Sequence, residues 1–304
     1  IIKPLIEKYK DSLTWSITTN GLLLNNEIID FCDKYNIDIL LSIDGCKEVQ
    51  DFQRPLKNNS SFDVLKKNIP YLLFKKPNTI FRSTITHYSL NFLEKNIETA
   101  QELGFKYITL VPNLFEEWDE KDYKKWEIFF ENESIKVMQH ILWCEPFNYI
   151  LNNIIQGVQT IYNNENTFNL ISPVHSCGMG CDGIGISIDG SLHPCQEENW
   201  KKEIESIGNI YTGISYTEHE QYLLNIYNLW INYLKNIDDL PGSLNFKLFY
   251  ATSYCSTRIK ELKNFNNTQT YFLRVIHKSC TSLFYNFNLN LNPMAEALFQ
   301  LEEK

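Results

Sequence analysis

Apolar residues in the first 115 positions follow two alternating rhythms. Short strand-like runs, Leu13–Thr18, Ile37–Ile43, Thr79–Thr86 and Tyr107–Val111, are separated by longer stretches with helical spacing. Ile28, Ile29, Phe31 and Cys32 repeat at that spacing, as do Phe92, Leu93, Ile97, Ala100 and Leu103. The pattern predicts amphipathic helices over Glu27–Tyr35, Phe62–Leu73 and Phe92–Leu103. Gly104 stands just past the last of these, where helices commonly close. Regular alternation implies an α/β fold of parallel strands joined by right-handed crossovers. Four strands are few for a closed barrel, and a helical segment, Pro4–Lys10, precedes the first of them. The sequence opens on Ile1 rather than Met. Together these features predict a unit that begins upstream.

Beyond residue 116 the rhythm becomes helical, with long runs at Tyr123–Trp143 and Phe147–Tyr162. Residues 170–215 are short-stranded and glycine-rich, and the rest is helical with an asparagine-rich joint at Asn264–Asn267. Three regions are expected: an α/β unit over 1–115, a helical connection over 116–169, and a cysteine-bearing α+β domain with a helical C-terminus over 170–304. The net charge of −9 argues against nucleic acid as a partner, because binding a phosphate backbone needs clustered Lys and Arg. No apolar run approaches the roughly 20 residues that span a bilayer, so no membrane association is expected.

Eight cysteines in 304 residues are too few for a disulfide scaffold, which predicts a reducing, cytoplasmic setting. Cys32, Cys46 and Cys144 sit singly among apolar or turn residues, and Cys280 sits in a helical pattern; all four read as small packed side chains. Cys177, Cys181 and Cys195 differ. They fall within nineteen residues, around the alternating run Ile184–Ile188 and the turn-forming Gly190. Thiolates on turns joined by a hairpin suit a soft metal or an iron–sulfur cluster. A tetrahedral zinc site uses the same ligands, and Cys177–Cys181 as a redox pair is a further alternative.

Two loops follow successive strands, Thr18-Thr19-Asn20-Gly21 and Ser42-Ile43-Asp44-Gly45, with Asn20 and Asp44 24 residues apart. Open α/β sheets and barrels place ligands at such strand ends. Arg82, on the next strand, is a charge in an otherwise apolar run. It needs an anionic partner unless it lies on an edge, and a ligand carboxylate would serve.

These residues carry a resemblance. Ser16–Leu24, Leu41–Gly45, Gln53-Arg54-Pro55, Arg82–Thr86, Glu102–Lys106 and Leu110-Val111-Pro112, in that order, resemble the core of radical S-adenosylmethionine enzymes. Cys177, Gly190 and Cys195, followed by Ile207–Gly213, resemble the SPASM/twitch extension of the peptide-modifying and sulfatase-maturing branches. The likeness runs from residue 10 to residue 280. It implies a partial (β/α)6 TIM-like barrel, with the four visible strands as its third to sixth, and a SPASM/twitch-like domain. The CxxxCxxC loop for the reducing [4Fe–4S] cluster and the Gly-Gly-Glu strand do not occur in this sequence. They are expected on an upstream segment of roughly 70–90 residues.

What the resemblance implies is a radical enzyme that modifies a ribosomally made peptide, with S-adenosylmethionine as cofactor and flavodoxin or ferredoxin as electron donor. It places Thr18 and Asn20 under the cofactor, Ser42 and Asp44 near its ribose and methionine parts, Arg82 at its carboxylate and Val111 on its adenine. Counting back from Cys255 puts Ala251, Asn245 and Gly242 where the full extension has cysteines. One auxiliary [4Fe–4S] cluster is therefore expected, on Cys177, Cys181, Cys195 and Cys255. Gln196 stands where sulfatase-maturing relatives have a proton-accepting aspartate; its amide cannot take that proton, which disfavours formylglycine formation. No catalytic residue is named. The rival expectation is a non-catalytic paralog that binds a peptide or protein and keeps one structural metal site.

Overall fold

In the computed structural model each strand of the first region is followed by a helix that folds back over the same side of one parallel sheet. The structure describes residues 3–9, 12, 14–113, 116–142, 147–158, 183–195, 206–235 and 268–286. In chain order the elements of the first unit are α1 (Lys3–Tyr9), β1 (Trp15–Thr19), α2 (Asn26–Lys34), β2 (Ile37–Ser42), α3 (Lys47–Gln53), α4 (Ser61–Lys75), β3 (Ile80–Ile85), a 3-10 turn (Ser89–Phe92), α5 (Leu93–Glu102), β4 (Tyr107–Pro112), α6 (Glu120–Leu142), β5 (Ile150–Leu151) and α7 (152–158). The strands lie in sequence order, β1-β2-β3-β4-β5, and every pairing is parallel. An unreversed order with right-handed crossovers sets all the helices on one face, as in a barrel wall.

That face is the core. Leu41, Phe81, Ile85 and Ile108 are fully buried, as are Ile29 of α2 and Ala100 of α5. Burying each large side chain contributes about 1.5–3 kcal/mol. The helix starts are set locally: Asn25 caps α2 by accepting from the Ile28 amide at 2.9 Å, and Ser60 caps α4 through the Asp63 amide at 3.0 Å. Asp119 caps α6, accepting from Lys121 and Asp122 at 2.8 and 2.9 Å, so this helix begins three residues before the expected Tyr123.

The helical spacing over Phe147–Tyr162 hides a fifth strand. β5 is two residues long, too short to show alternation, and pairs with Tyr107 and Ile108. The Asn153 side chain then continues the edge: it accepts from Leu110 N at 2.9 Å and donates to Leu110 O at 2.8 Å. A side-chain amide thus satisfies the backbone groups that a longer strand would have paired.

A second unit holds β6 (Gly185–Ile186), β7 (Ser191–His193), β8 (Gly208–Asn209) and β9 (Gly213–Ile214) in an antiparallel sheet of that order, followed by α8 (Tyr216–Lys235). Gly208, at φ 151°, lies where an added Cβ would sit 2.2 Å from the Gly213 carbonyl oxygen, so only glycine lets β8 and β9 close on each other. The last helix, α9 (Thr268–Asn286), belongs to the first unit from Lys278 onward. There Lys278 reaches Glu127 and Glu131 at 2.8 Å each, and the Cys280 thiol donates to Ile154 O at 3.5 Å. Burial pushes the thiols of Cys32, Cys46 and Cys280 up, which suits packed side chains rather than ready thiolates. Among the described residues no helix is long and apolar enough to cross a membrane.

Candidate cofactor-binding site

The sheet face away from the helices is polar and open. Strand alternation sends Ser16 and Thr18 of β1, Asp38 and Leu40 of β2, Arg82 and Thr84 of β3, and Thr109 and Val111 of β4 to this side. Register then sorts them into rows. Thr18 pairs with Leu40, and Leu40 with Ile80. One step toward the carboxyl ends, Ser42 pairs with Arg82, and Arg82 with Thr109; the next row holds Thr84 and Val111. Four of the sequence-predicted residues, Thr18, Ser42, Arg82 and Val111, are thereby brought to one face. An open cavity of about 470 Å³ occupies the amino-terminal part of this side, lined by Ser16, Thr18, Asp38, Lys76 and Ile80 among others.

Arg82 is half-buried in the middle of the sheet, and its guanidinium makes no hydrogen bond or ion pair among the described residues. Asp44 is the opposite case. Its carboxylate is held by Arg54 through Nε at 2.7 Å and Nη2 at 3.1 Å, and it also accepts from the Thr84 amide at 3.1 Å. Its backbone amide donates to Gln50 Oε1 at 2.8 Å, and its carbonyl accepts from the Ser83 hydroxyl at 2.6 Å. Asp44 therefore spends its polar groups bracing the β2 loop against β3. Gly45, at φ 152°, continues the loop; an added Cβ would lie 2.0 Å from Asn96 Oδ1, the atom that accepts from the Cys46 amide at 2.9 Å. Asn20 is exposed beyond β1 and forms a local turn, its Oδ1 accepting from the Leu22 amide at 3.2 Å.

Sequence reasoning assigned no role to Gln53. Its Nε2 donates to Thr84 O at 3.0 Å and its Oε1 accepts from the Thr86 hydroxyl at 2.7 Å, so α3 grips the carboxyl end of β3. The role of Arg54 as partner to Asp44 was likewise unread. The ten-residue separation spans the end of one loop and a short helix, and no local periodicity signals it.

Of the expected metal ligands, Cys195 is half-buried two residues after β7. Cys177, Cys181 and Cys255 lie outside the described residues, as do Cys144 and Gln196. Among the described residues no group of three or more His, Cys, Asp or Glu side chains is placed to hold a metal ion.

No family model matches the sequence. A curated relative, the uncharacterized protein MJ0907 of Methanocaldococcus jannaschii, is 30% identical over 138 residues, covering 37% of this chain and 47% of that protein. The chain thus spans less than half the length of this curated relative. Among solved structures, native anSMEcpe with bound AdoMet is 19% identical with a TM-score of 0.66, over 95% of this chain and 79% of that one. The same protein with AdoMet and a Cp18Cys peptide is similar at 19% identity and a TM-score of 0.63, covering 95% and 80%. The chain therefore shares the fold of a protein solved with AdoMet and with a peptide bound.

Proposed function

We propose that this chain is part of a radical S-adenosylmethionine enzyme that modifies a peptide. One observation carries the reading: Arg82 presents a guanidinium that meets no anionic partner among the described residues, on the open polar face of a parallel sheet. A charge half-buried in that way is costly unless something meets it, and a carboxylate is the matched group. The methionyl part of AdoMet carries such a carboxylate. The likeness in fold to anSMEcpe, solved with AdoMet and with a peptide, supports the same assignment.

The chemistry AdoMet supplies when bound to a reduced iron–sulfur cluster is a 5′-deoxyadenosyl radical able to take a substrate hydrogen. The residues of this chain bind and orient. Arg82 holds the cofactor carboxylate, with Ser42 beside it in register. Thr18 and Asn20 lie beneath the ligand, and Val111 packs on its adenine. Asp44 acts mainly by fixing the β2 loop, so its contact with the ribose side is made through the loop it shapes. Cys177, Cys181, Cys195 and Cys255 are proposed to hold an auxiliary cluster in a SPASM/twitch-like domain, with the reducing cluster on a segment outside this sequence. Peptide substrate, flavodoxin- or ferredoxin-type donor and cytoplasmic setting are parts of the same proposal.

The test is anaerobic reconstitution of the full-length protein with iron and sulfide, reduction by dithionite, and measurement of 5′-deoxyadenosine released from AdoMet. Release with iron bound is expected. Zinc without iron, or no 5′-deoxyadenosine, rejects the enzyme reading in favour of a peptide-binding paralog.

A further inference from the structure

A second constellation stands at the carboxyl end of β3, and no role assigned above uses it. His87 follows Thr86, the residue gripped by Gln53. Its backbone amide donates to Glu116 Oε2 at 2.7 Å, and its ring Nδ1 lies 2.7 Å from Asp122 Oδ2. The Asp122 carboxylate is only 2% exposed, on the first turn of α6, and the same oxygen accepts from the Asp119 amide at 3.2 Å. The carboxylate is thus fixed independently of the histidine. The His87 side chain, by contrast, is 61% exposed, and nothing among the described residues engages its Nε2.

Tying one element to another through a carboxylate does not require an imidazole; Lys278 of α9 does so with an ammonium on Glu127 and Glu131 of α6. What the imidazole adds is a second nitrogen, directed outward while the first is held. An Nδ1–H donated to a buried carboxylate fixes the tautomer that leaves the lone pair on Nε2, and the carboxylate balances the charge when Nε2 takes up a proton. The location matters as much as the chemistry. His87 sits between the β2 and β4 loops, on the rim where Thr84 is tied to Asp44 and Ile85 O accepts from the Asn113 amide. The next residue, Tyr88, packs against the exposed Phe52 in a tilted pair with ring centroids 4.1 Å apart, so the rim beside His87 is aromatic and suited to peptide side chains.

We infer that His87 is a proton-transfer group for the peptide bound at the carboxyl end of the sheet, with Asp122 as its positioning residue. The inference rests on the peptide-modifying reading above. The step moves a proton only. An O–H, N–H or S–H of the peptide gives its proton to Nε2, the bonding electrons stay on the peptide heteroatom, and the proton leaves from the exposed ring to water.

The test uses the full-length protein, reconstituted anaerobically, with a pool of synthetic peptides bearing Cys, Ser, Thr, Tyr and Lys side chains as probe. In His87→Ala the ratio of modified peptide to 5′-deoxyadenosine is expected to fall about 10²–10⁴-fold and to recover in part with added imidazole. An unchanged ratio, or a loss that imidazole does not restore, overturns the inference. Absence of 5′-deoxyadenosine from the wild type counts against the functional reading instead, and a second arm then still decides the dyad. In ¹⁵N-histidine spectra of the neutral imidazole, His87 is expected to carry its proton on Nδ1, and Asp122→Asn to abolish that preference. An even mixture of tautomers in the wild type sinks the proposal with or without turnover.

Discussion

Replacing Arg54 by Met isolates what the β2 loop needs. The Asp44 side chain is 3% exposed and the Arg54 side chain 31% exposed, at 2.7 Å from Nε to Oδ2. Met keeps most of the stem packing but removes both guanidinium bonds, leaving the carboxylate with the Thr84 amide as its remaining donor. Breaking a buried pair by removing one partner costs about 3–5 kcal/mol. Because Arg54 is partly solvated, water replaces some of what is lost, and about 2–3 kcal/mol is expected. Asp44→Asn on top of Arg54→Met removes the stranded charge and should restore roughly 1 kcal/mol or more, giving a coupling energy of about 1–2 kcal/mol in a double-mutant cycle. Urea unfolding of the four proteins, without cofactor, measures each value. A cost below about 0.5 kcal/mol for Arg54→Met, or a double mutant that is simply additive, would refute the view that Asp44 is spent on bracing.

Arg82→Ala should behave in the reverse way. With no partner to lose among the described residues, it is expected to change stability by no more than about 0.5 kcal/mol, while AdoMet binding by calorimetry weakens about 10–100-fold; unaltered affinity counts against the carboxylate assignment. Acid should destabilise the protein. Burial holds His277 down to about 4, so its contribution is present above its ordinary value of 6.5 and is lost as pH falls through 4. Hydrogen bonds from Lys124 and Lys278 lower Glu127, which adds a loss in the acid range with the same sign. The His277 part is worth about 2 kcal/mol after allowing for partial solvent contact, and His277→Gln should flatten the slope between pH 6.5 and 4 in urea unfolding. Cys195→Ala is expected to lower iron retained per chain. Cys280→Ala should leave iron unchanged but cost about 1–2 kcal/mol, since its side chain is fully buried against Ile154.

Much of the sheet was legible because parallel strands buried under helices leave a strong mark. Ile39, Leu41, Phe81 and Ile108 are apolar where they meet helices, and the loops they lead into follow from the same reading. β5 was not legible. Two residues cannot alternate, and the Asn153 amide that extends the edge looks like any polar residue in a helical run. Thr18, Ser42, Arg82 and Val111 were grouped by the resemblance, and the parallel register together with strand alternation puts them on one face. Gln53, and the partnership of Arg54 with Asp44, were not readable. Their significance lies in what they reach across space, and the same holds for His87 and Asp122, 35 residues apart.

The Asp44 charge in the β2 loop and the Arg82 charge on β3 therefore have different fates, and the difference bears on where a ligand binds. Asp44 is buried, doubly held by Arg54 and hydrogen-bonded to β3, so three of the roughly four acceptor sites of its carboxylate are already committed within the protein. Arg82 lies across from Ser42, is half-buried, and has the donors of its guanidinium uncommitted within the described residues. A protein gains nothing in stability from such an arginine, because its desolvation is uncompensated. The sheet keeps the cost low by leaving this face open to water, and that openness is also what a cofactor needs to reach it. The rigid β2 loop and the available β3 charge are complementary parts of one arrangement: Asp44, Arg54 and Gln53 fix the ends of the strands so that Arg82 can be held ready rather than paired.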